Sequence, residues 1–462
     1  MLWELKLGTR QYAIPTIDRG RLYVGCNDAN FERAGVEPSG GGVLACYDLE
    51  TMDALWRFHT PRYVEGLIEP YHFNHWKCGF ATYPVVEGDF VYVVGGRGEI
   101  LCLDREGQRN GNAGPFVDEL RYMEAAEGTA LEPCDGDIVW RYDLIEEIDV
   151  VPHDVCGSTL LIDGEYLYAC TSNGVDGKHA YMPRPQAPSL IALDKRTGEL
   201  VARECEGIGE RTLHGQWSSP SLGRVEGRTL IFFGGGDGVL YAFEPPVAHA
   251  SEERPQALKK AWSYDCNPPE YRTIDGQPAA YSSDKKKLAT GPSEIIGTPV
   301  FDHGKVYAAI GQSPLHGPGQ GQLSCIDAAT GQPVWTNRDV GRSLATVSIA
   351  DGLLYIVELA GILRCFDAET GEAYWEHDLG GDVWRASTFV ADGKVYASDE
   401  NKAFWTFAAG KEKRLLAQFR LKGEAITPTA IDGMLLIPTQ VDLKAYAARQ
   451  ASSEGLPAKQ ER

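Results

Sequence analysis

The stretch Gln322 to Trp335 reads QLSCIDAATGQPVW, and it returns forty residues later as ILRCFDAETGEAYW, Ile362 to Trp375. Each copy has a short alternating run ending in Cys-x-Asp, then a Thr-Gly turn, then a second run ending in Trp. Two short apolar runs around a glycine turn predict a β-hairpin. Because one hairpin cannot bury a large Trp alone, its recurrence indicates a repeat architecture.

A second recurring unit is a hairpin with an acid-Gly turn followed by an aromatic strand, as in TPVFDHGKVYA from Thr298. It occurs eight times, and its second residue sets a register with spacings of 69, 76, 60, 79, 48, 41 and 40. The register residues are Pro15, Pro84, Leu160, Pro220, Pro299, Val347, Thr388 and Pro428. Together the two units make four strands, A to D, which predict an all-β fold: an eight-bladed β-propeller of four-stranded antiparallel blades.

The two ends of the chain complement each other. The last unit has strands A and B and a strand C, LKAYA, but no strand D, whereas the N-terminal MLWELKL is a strand D without a blade before it. Pairing them closes the ring and removes two sheet edges. We therefore expect residues 1–447 to form one propeller whose N-terminal strand completes the last blade. Residues 448–462 are predicted to be a polar tail or linker.

Most blades have a Trp in strand D, and blades 3 and 7 lack it. The five tryptophans are Trp56, Trp140, Trp262, Trp335 and Trp375. Eleven cysteines are present, with no CxxC pair, CxxCH haem motif or adjacent pair. Four of the cysteines share one position in strand C, so we interpret them as small buried residues: Cys46, Cys102, Cys325 and Cys365.

The charge of the chain limits its partners. Of 462 residues, 65 are acidic and 44 are basic, for a net charge of −21. This balance disfavours nucleic acid and anionic membranes as partners. No apolar run reaches the roughly eighteen residues of a transmembrane helix. Met1 opens directly onto a predicted strand without a visible signal peptide, so the sequence leaves open whether the protein stays in the cytoplasm or a leader has been removed.

The loops predict which face of the disc carries function. Strands alternate in direction, so the B–C and D–A connections share one face, and most of the extra length lies there. We call this the long-loop face, because long loops on a compact scaffold are often functional. The acidic insertion Arg105 to Asp137 lies on the other side, in a C–D connection, and we interpret it as a solvated flap.

Strand A lines the axis of a propeller and begins at the long-loop face, so the residues four to six before each register position should surround the channel mouth. These are Arg10, Gln11, Cys78, Asp154, Cys156, His214, Gln216, Glu294, Arg342, Ser343, Asp382, Trp384 and Glu424, with Lys77, His153, Trp217 and Arg385 adjacent. One interpretation is a salt-bridged, hydrated channel. The other is a ligand pocket, for which we expect His214, Trp384 and Arg385 to lie in one cavity.

The repeat A/C-x-D-x-x-T-G-x-x-x-W resembles the tryptophan-docking motif of the eight-bladed quinoprotein-type propellers, the PQQ-like repeat family. The resemblance covers essentially the whole chain. The segments HGQWSSPS, FFGGGDGVLYAF and GPSEIIGTPVF also resemble an uncharacterised PQQ-binding-like subfamily of planctomycete-type bacteria. The resemblance implies a bacterial protein of the periplasm or cell exterior.

The resemblance leads to two functional hypotheses. The first is a propeller without established catalysis, similar to outer-membrane assembly scaffolds, that binds a small molecule, glycan or protein at the long-loop face. The alternative is oxidation of an alcohol or sugar by pyrroloquinoline quinone with Ca²⁺. The alternative would use Asp154 or Asp382 as base, Glu294 or Glu424 on the metal, Arg342 or Arg385 beside the quinone, and Trp217 or Trp384 as its stacking surface. It lacks the adjacent cysteine pair of alcohol-oxidising members.

Two further hypotheses rest on small groups of loop residues. Aromatic and histidine side chains on one long loop suit a carbohydrate-binding or carbohydrate-cleaving propeller: Tyr63, Tyr71, His72, His75 and Trp76. A self-packed loop is the competing interpretation. Four histidines would form a transition-metal site if their loops converge, namely His72, His75, His153 and His214.

Overall fold

The computed structural model describes residues 1–63, 74–247, 255–279, 292–313 and 320–447. Eight antiparallel sheets form the blades of a propeller around a central channel to which every blade contributes. This confirms the predicted eight-bladed fold. The predicted tail, residues 448–462, lies outside the described residues.

The strands follow the predicted order A to D within each blade. In blades 1 to 4 they are Thr16–Asp18, Arg21–Asn27, Gly42–Asp48 and Ala54–Thr60; Val85–Glu87, Phe90–Gly95, Glu99–Asp104 and Ile138–Asp143; Leu161–Asp163, Tyr166–Cys170, Leu190–Asp194 and Leu200–Arg203; and Ser221–Val225, Arg228–Gly234, Val239–Phe243 and Lys260–Asp265.

In blades 5 to 8 the strands are Val300–Asp302, Lys305–Ile310, Gln322–Asp327 and Pro333–Asn337; Ser348–Ala350, Leu353–Val357, Ile362–Asp367 and Ala373–Asp378; Phe389–Ala391, Lys394–Ser398, Ala403–Ala408 and Leu415–Arg420; and Thr429–Ile431, Met434–Pro438, Asp442–Ala447 and Trp3–Lys6. The described helices are short, at Gly107–Asn110, Glu119–Tyr122, Leu144–Ile148, Ile208–Arg211 and Pro269–Arg272, and a two-stranded ribbon joins Thr273–Ile274 to Gln277–Pro278.

Strand D of one blade docks on the next blade through its Trp. The indole Nε1 of Trp335 donates a hydrogen bond to the carbonyl of Ala368 over 3.1 Å. Gly371, at φ +73°, lies so close that a Cβ there would come within 2.6 Å of the Trp335 ring. The other four tryptophans also donate to a backbone carbonyl of the following blade. The Thr-Gly turn is therefore the receptor for the preceding Trp, which explains why both recur together.

Blade 3 lacks the Trp, and an insertion from blade 4 covers its outer edge instead. Residues Gln256–Ala257 pair in parallel with Leu200–Arg203 as a fifth strand. The adjacent Leu258 is buried in the same cluster as Val201 and Ala202. The sequence did not predict this strand. In blade 7, which also lacks the Trp, every residue of the outer strand Leu415–Arg420 is exposed.

The insertion Arg105 to Asp137 is packed against the propeller, so its prediction as a solvated flap was wrong. Tyr122 stacks on Phe58 with ring centroids 5.4 Å apart, and Met123 is buried. The backbone N–H of Arg57 donates to the carbonyl of Cys134 over 2.8 Å. Besides its acidic residues, the segment has apolar side chains that pack on the propeller, and its net charge did not indicate them.

The ring closes as predicted. Trp3–Lys6 pairs antiparallel with Asp442–Ala447, with Trp3 opposite Ala445. Leu7 is fully buried at the end of this strand, in a cluster with side chains of blades 1 and 8. Among the described residues, no helix has both the length and the apolar character needed to cross a lipid bilayer.

Candidate functional site

Three histidines meet on the long-loop face, and we call them the histidine cluster: His153, His179 and His214. Their Nε2 atoms are separated by 2.8 Å (His153 to His214), 3.1 Å (His153 to His179) and 3.2 Å (His179 to His214). His153 lies in the connection entering blade 3, His179 in the B–C connection of that blade, and His214 in the connection to blade 4. Three separate loops therefore bring one nitrogen each to a common point.

Backbone hydrogen bonds hold these loops together. Nδ1 of His153 lies 2.7 Å from the carbonyl oxygen of Val175. The N–H of Val175 in turn donates to the carbonyl of His214 over 2.8 Å. Because Nδ1 of His153 faces an acceptor, it carries the ring proton, and the Nε2 lone pair is directed into the cluster.

His179 reaches the cluster from a tight turn. Its backbone is left-handed at φ +55°. The Asp176 carboxylate accepts hydrogen bonds from the N–H groups of Ala180 and Tyr181, at 2.5 and 3.1 Å. A non-glycine residue in this conformation costs free energy, which such side-chain caps offset. His179 is half-buried, whereas His153 and His214 are 1% and 2% exposed.

The close approach of three ring nitrogens has a chemical consequence. A neutral imidazole offers one N–H and one lone pair, so protons alone cannot satisfy all three mutual contacts. At least one pair would place two lone pairs or two N–H groups against each other. A cation at the centre satisfies all three nitrogens at once.

Glu294 stands behind His214. Its side chain is fully buried, and its Oε1 lies 3.6 Å from Nδ1 of His214. Its backbone is fixed by reciprocal N–H to carbonyl bonds with Gly311, both 2.9 Å long. A buried carboxylate needs nearby positive charge, and a carboxylate behind an imidazole is the usual outer partner of a metal-ligating histidine.

Trp217, Trp76 and Asp154 border the cluster. The Trp217 ring lies 4.9 Å from the His214 ring, and its Nε1 donates to the carbonyl of Val155 over 3.2 Å. Asp154 Oδ1 lies 3.9 Å from Nε2 of His153 and accepts a hydrogen bond from Trp76 Nε1 at 3.4 Å. Asp154 also has a left-handed backbone, with φ +58°.

The axial channel is a separate cavity of about 330 Å³. Hydroxyl side chains line it and link neighbouring blades: the N–H of Thr346 donates to Ser387 Oγ, and that of Ser387 to Thr427 Oγ1, at 2.9 and 2.8 Å. Arg385 also lines the channel, paired with Glu400. The channel is thus lined by both hydroxyl and apolar side chains, and Arg385 is the charged residue among them.

The structure distributes the other predicted mouth residues around the face. His153, His214, Trp217, Asp154 and Glu294 come together. His214 and Trp384 are not among the residues that line the channel with Arg385, so the expected shared cavity of these three is not formed there. Instead, the guanidinium of Arg385 lies 4.3 Å from the exposed Trp384 ring.

The remaining predicted residues have other partners. Arg10 lies over the Trp76 ring at 5.9 Å, and the stem of Lys77 packs near Gly40. Gln216 is buried and bridges Thr212 to the N–H of Gly236, so its contacts are structural. Arg342 and Asp382 line a second cavity, of about 500 Å³, at blades 5 to 7.

Among the histidines proposed from the sequence, two belong to the cluster and one does not. His75 packs against Trp76 and is absent from the group of converging ligand atoms. His72 and Tyr71 lie outside the described residues. Tyr63 lies under Arg97 at 5.6 Å. His179 was missed, although it stands in the long B–C loop of the blade that already supplied His153.

Among the described contacts, the two acids proposed as calcium ligands have nitrogen neighbours and do not form an oxygen-rich site. Ca²⁺ takes six to eight oxygen ligands, yet Glu294 faces an imidazole. Glu424, the other proposed calcium ligand, lies 3.8 Å from Lys402. In the part of the chain that the structure describes, the histidine cluster is the one group of three or more metal-ligating side chains that converges. Imidazole nitrogens suit first-row transition metals rather than Ca²⁺.

Comparison with known proteins gives the same fold. The family model of the outer membrane protein assembly factor BamB matches residues 319–415. The quinohemoprotein alcohol dehydrogenase ADH IIB of Pseudomonas putida is 24% identical over 408 residues, which cover 83% of this chain and 52% of that protein. The quinoprotein alcohol dehydrogenase PedH of Pseudomonas putida is 29% identical over 131 residues, covering 26% of this chain and 22% of PedH.

Solved structures agree at the level of the fold. BamB from Moraxella catarrhalis superposes with a TM-score of 0.58 at 12% identity, covering 98% of both chains. The computationally designed Ika8 protein has a TM-score of 0.54 at 10% identity, covering 96% of this chain and 98% of that one. The chain is thus an eight-bladed β-propeller that is similar in sequence to PQQ-like repeat proteins. Within that class it resembles both BamB and the quinoprotein dehydrogenases, and it spans about half the length of ADH IIB, at 52%.

Proposed function

We propose that this protein is a metal-dependent binding propeller whose histidine cluster holds a divalent transition-metal ion of the zinc class. The observation that carries the proposal is the approach of three Nε2 atoms to within 3.2 Å of one another. In a tetrahedral site with Zn–N distances of about 2.0–2.1 Å, ligand nitrogens are roughly 3.3 Å apart. Binding therefore requires the rings to separate by only a few tenths of an ångström.

The surroundings of the cluster support a metal centre over a structural core. Nδ1 of His153 faces the carbonyl oxygen of Val175, and Nδ1 of His214 faces the carboxylate of Glu294. Such partners orient the rings and raise their basicity. His153 and His214 are buried where a charged imidazolium would be costly, so they serve as neutral ligands. The proposed metal site lies on the long-loop face, for which the sequence predicted a binding function.

The test is the metal content of the purified full-length protein, measured by inductively coupled plasma mass spectrometry. We expect one zinc-class ion per chain, and less than a tenth of that in His179→Ala. His179 is half-exposed, so this variant keeps the fold. His303→Ala is the matched control, because His303 is an exposed histidine in a turn of blade 5. If wild type and His179→Ala have equal metal contents both before and after reconstitution with Zn²⁺, the proposal is refuted.

A second candidate function is that of a protein-binding scaffold, which the likeness to BamB and the solvent-exposed outer strand Leu415–Arg420 favour. A scaffold of this kind needs no metal. The same measurement therefore separates the two: a wild-type protein that neither contains nor takes up a stoichiometric metal ion favours the scaffold.

A further inference from the structure

We infer that the outer strand of blade 7, Leu415–Arg420, accepts an extended segment of a partner protein as a fifth strand, and that this segment combines alternating apolar residues with flanking acids. The inference rests on the second candidate function above, the protein-binding scaffold, and gives it a surface and a class of partner. It does not depend on the metal site. Its support comes from the exposure of the strand, its backbone, its charge and the example of blade 3.

The exposure of this strand distinguishes it from the other outer strands. Among the eight outer strands, it is the one in which every residue is exposed, with Leu416 at 44% and Phe419 at 38%. A Trp in an outer strand docks on the turn that follows strand C of the next blade. Blade 8 has no such turn, because its strands C and D are Asp442–Ala447 and Trp3–Lys6. The outer strand of blade 7 therefore has no receptor for a Trp.

The backbone of this strand has unpaired hydrogen-bonding groups along its free edge. The N–H of Leu421 donates to the carbonyl of Lys402, at the start of the neighbouring strand C. The direction of these groups alternates along an antiparallel strand. The N–H and C=O groups of Gln418 and Arg420 therefore point away from the sheet. An edge of this kind is a template for pairing with another chain.

The charge of this edge is opposite to that of the whole chain. Residues 411–422 include five basic residues and one acid, although the chain has a net charge of −21. Within the part of the chain that the structure describes, no carboxylate lies within ion-pair distance of Lys413, Arg414 or Arg420. This positive charge favours an acidic partner, and it disfavours a second copy of the same strand, since like charges would meet.

Blade 3 shows how an outer strand without a Trp is covered. Gln256–Ala257 pairs with its outer strand Leu200–Arg203 as a fifth strand. The next residue, Leu258, is buried in the same cluster as Val201. The covering segment thus contributes backbone hydrogen bonds and an apolar side chain. Blade 7 offers the same kind of edge, and no described segment pairs with it.

These properties define the partner segment. Strand addition at a sheet edge obtains its affinity from main-chain hydrogen bonds and its specificity from side chains. The segment therefore needs an extended backbone without proline at its pairing positions. Apolar residues at alternate positions cover Leu416 and Phe419, and acids at its ends face Lys413, Arg414 and Arg420.

The experiment measures binding of a synthetic peptide to the full-length protein by fluorescence anisotropy. The probe is fluorescein-labelled Asp-Glu-Val-Thr-Val-Thr-Val-Glu-Asp, and a control peptide has lysine in place of its acids. Gln418→Pro removes the outward N–H, whereas Gln418→Ala keeps it, and proline is tolerated where an edge N–H faces solvent. Arg414→Glu reverses one cation of the edge, and Arg228→Glu does so at an exposed arginine of blade 4. Circular dichroism verifies that each variant is folded.

We expect the acidic peptide to bind wild type, Gln418→Ala and Arg228→Glu with affinities within twofold of one another. Binding should weaken at least tenfold in Gln418→Pro and roughly three- to tenfold in Arg414→Glu, and the lysine peptide should not bind. Hydrogen–deuterium exchange of the segment containing Leu415–Arg420 should slow when the acidic peptide is added.

An acidic peptide that does not bind, or that binds Gln418→Pro as tightly as wild type, overturns the inference. Exchange that is equally slow with and without the peptide also overturns it, because another part of this chain or a second copy then already covers the strand. Equal binding of the acidic and lysine peptides overturns the acidic class of partner. The metal content, which decides between the two candidate functions, is measured separately and should be the same in all four variants.

Discussion

Glu294 places its Oε1 atom 3.6 Å from Nδ1 of His214, and both side chains are buried at the base of the histidine cluster. A carboxylate in this position stabilises a cation that the imidazole binds through its other nitrogen. Glu294 therefore places a buried negative charge directly behind one ligand of the proposed metal site.

Glu294→Gln is expected to weaken metal affinity by about 10- to 100-fold, because the glutamine keeps the size but not the charge of the outer partner. Competition of Zn²⁺ against a chromophoric chelator measures this. Glu358→Gln is the control, since Glu358 is also a buried acid but pairs with Arg364 in blade 6. Its metal affinity should equal that of wild type. Equal losses in both variants would mean that the effect arises from general destabilisation.

The docking of Trp335 on Gly371 makes a prediction about stability. Gly371→Ala introduces a Cβ within 2.6 Å of the Trp335 ring at a left-handed backbone position, φ +73°. We expect unfolding free energy to fall by roughly 2–4 kcal/mol. Gly352→Ala has the same φ of +73° with no atom within 4 Å of the added Cβ, so it should lose only about 1 kcal/mol. Equal losses in urea denaturation would exclude the ring contact as the cause.

Closure of the ring predicts a large effect from a residue near the N-terminus. Leu7 is fully buried between the first and last blades, and Leu7→Ala should cost about 2–5 kcal/mol. Leu2→Ala removes the same atoms from a side chain that is 53% exposed, and it should change stability by less than about 0.5 kcal/mol. Thermal unfolding of the two variants compares them directly. A tolerated Leu7→Ala would show that closure adds little to stability.

Asp137 predicts a dependence of stability on pH. Burial raises the pKa of this carboxyl to about 7, and the nearby acids Glu119 and Asp104 add to the rise. Between the unfolded pKa near 4 and the folded value, the folded state binds more protons, so this contribution to stability is present at low pH and is lost as pH rises toward 7.

Asp137→Asn keeps the shape of the side chain and removes the ionisation. We expect it to stabilise the protein by roughly 1–3 kcal/mol at pH 8, and to have little effect at pH 4. Chemical denaturation at both pH values gives the comparison. Asp53→Asn, at an exposed turn residue of blade 1, is the control and should show no such difference. A gain that is equal at pH 4 and pH 8 would contradict the assigned pKa shift.

The ring was predictable because its determinants are local. The Asp-x-x-Thr-Gly turn, the Trp that follows and the acid-Gly hairpin are all short-range signals, and counting them required no knowledge of tertiary contacts. The fifth strand of blade 3 was not predictable in this way. Gln256–Ala257 belongs to an insertion in blade 4 and pairs in parallel with another blade, and no periodic pattern in two residues specifies such a partner.

The site was predictable only in part. The register placed His153 and His214 at the same face, since both precede a strand A. It could not place His179, because this residue depends on the conformation of a long loop and on a left-handed turn capped by Asp176. The register also grouped Trp384 with His214, although side-chain direction sends Trp384 toward Arg385. Position along the chain predicted the face, and loop geometry selected the residues that meet.

The pairing of Trp3–Lys6 with Asp442–Ala447 orders events during synthesis. Trp3–Lys6 leaves the ribosome well before Asp442–Ala447, so this strand waits for its neighbour while the blades between them are synthesised. Blade 1 keeps an unsealed flank through the same period. The ring can therefore close only after Asp442–Ala447 has been synthesised, and a factor that shields nascent strands has its longest opportunity at Trp3–Lys6.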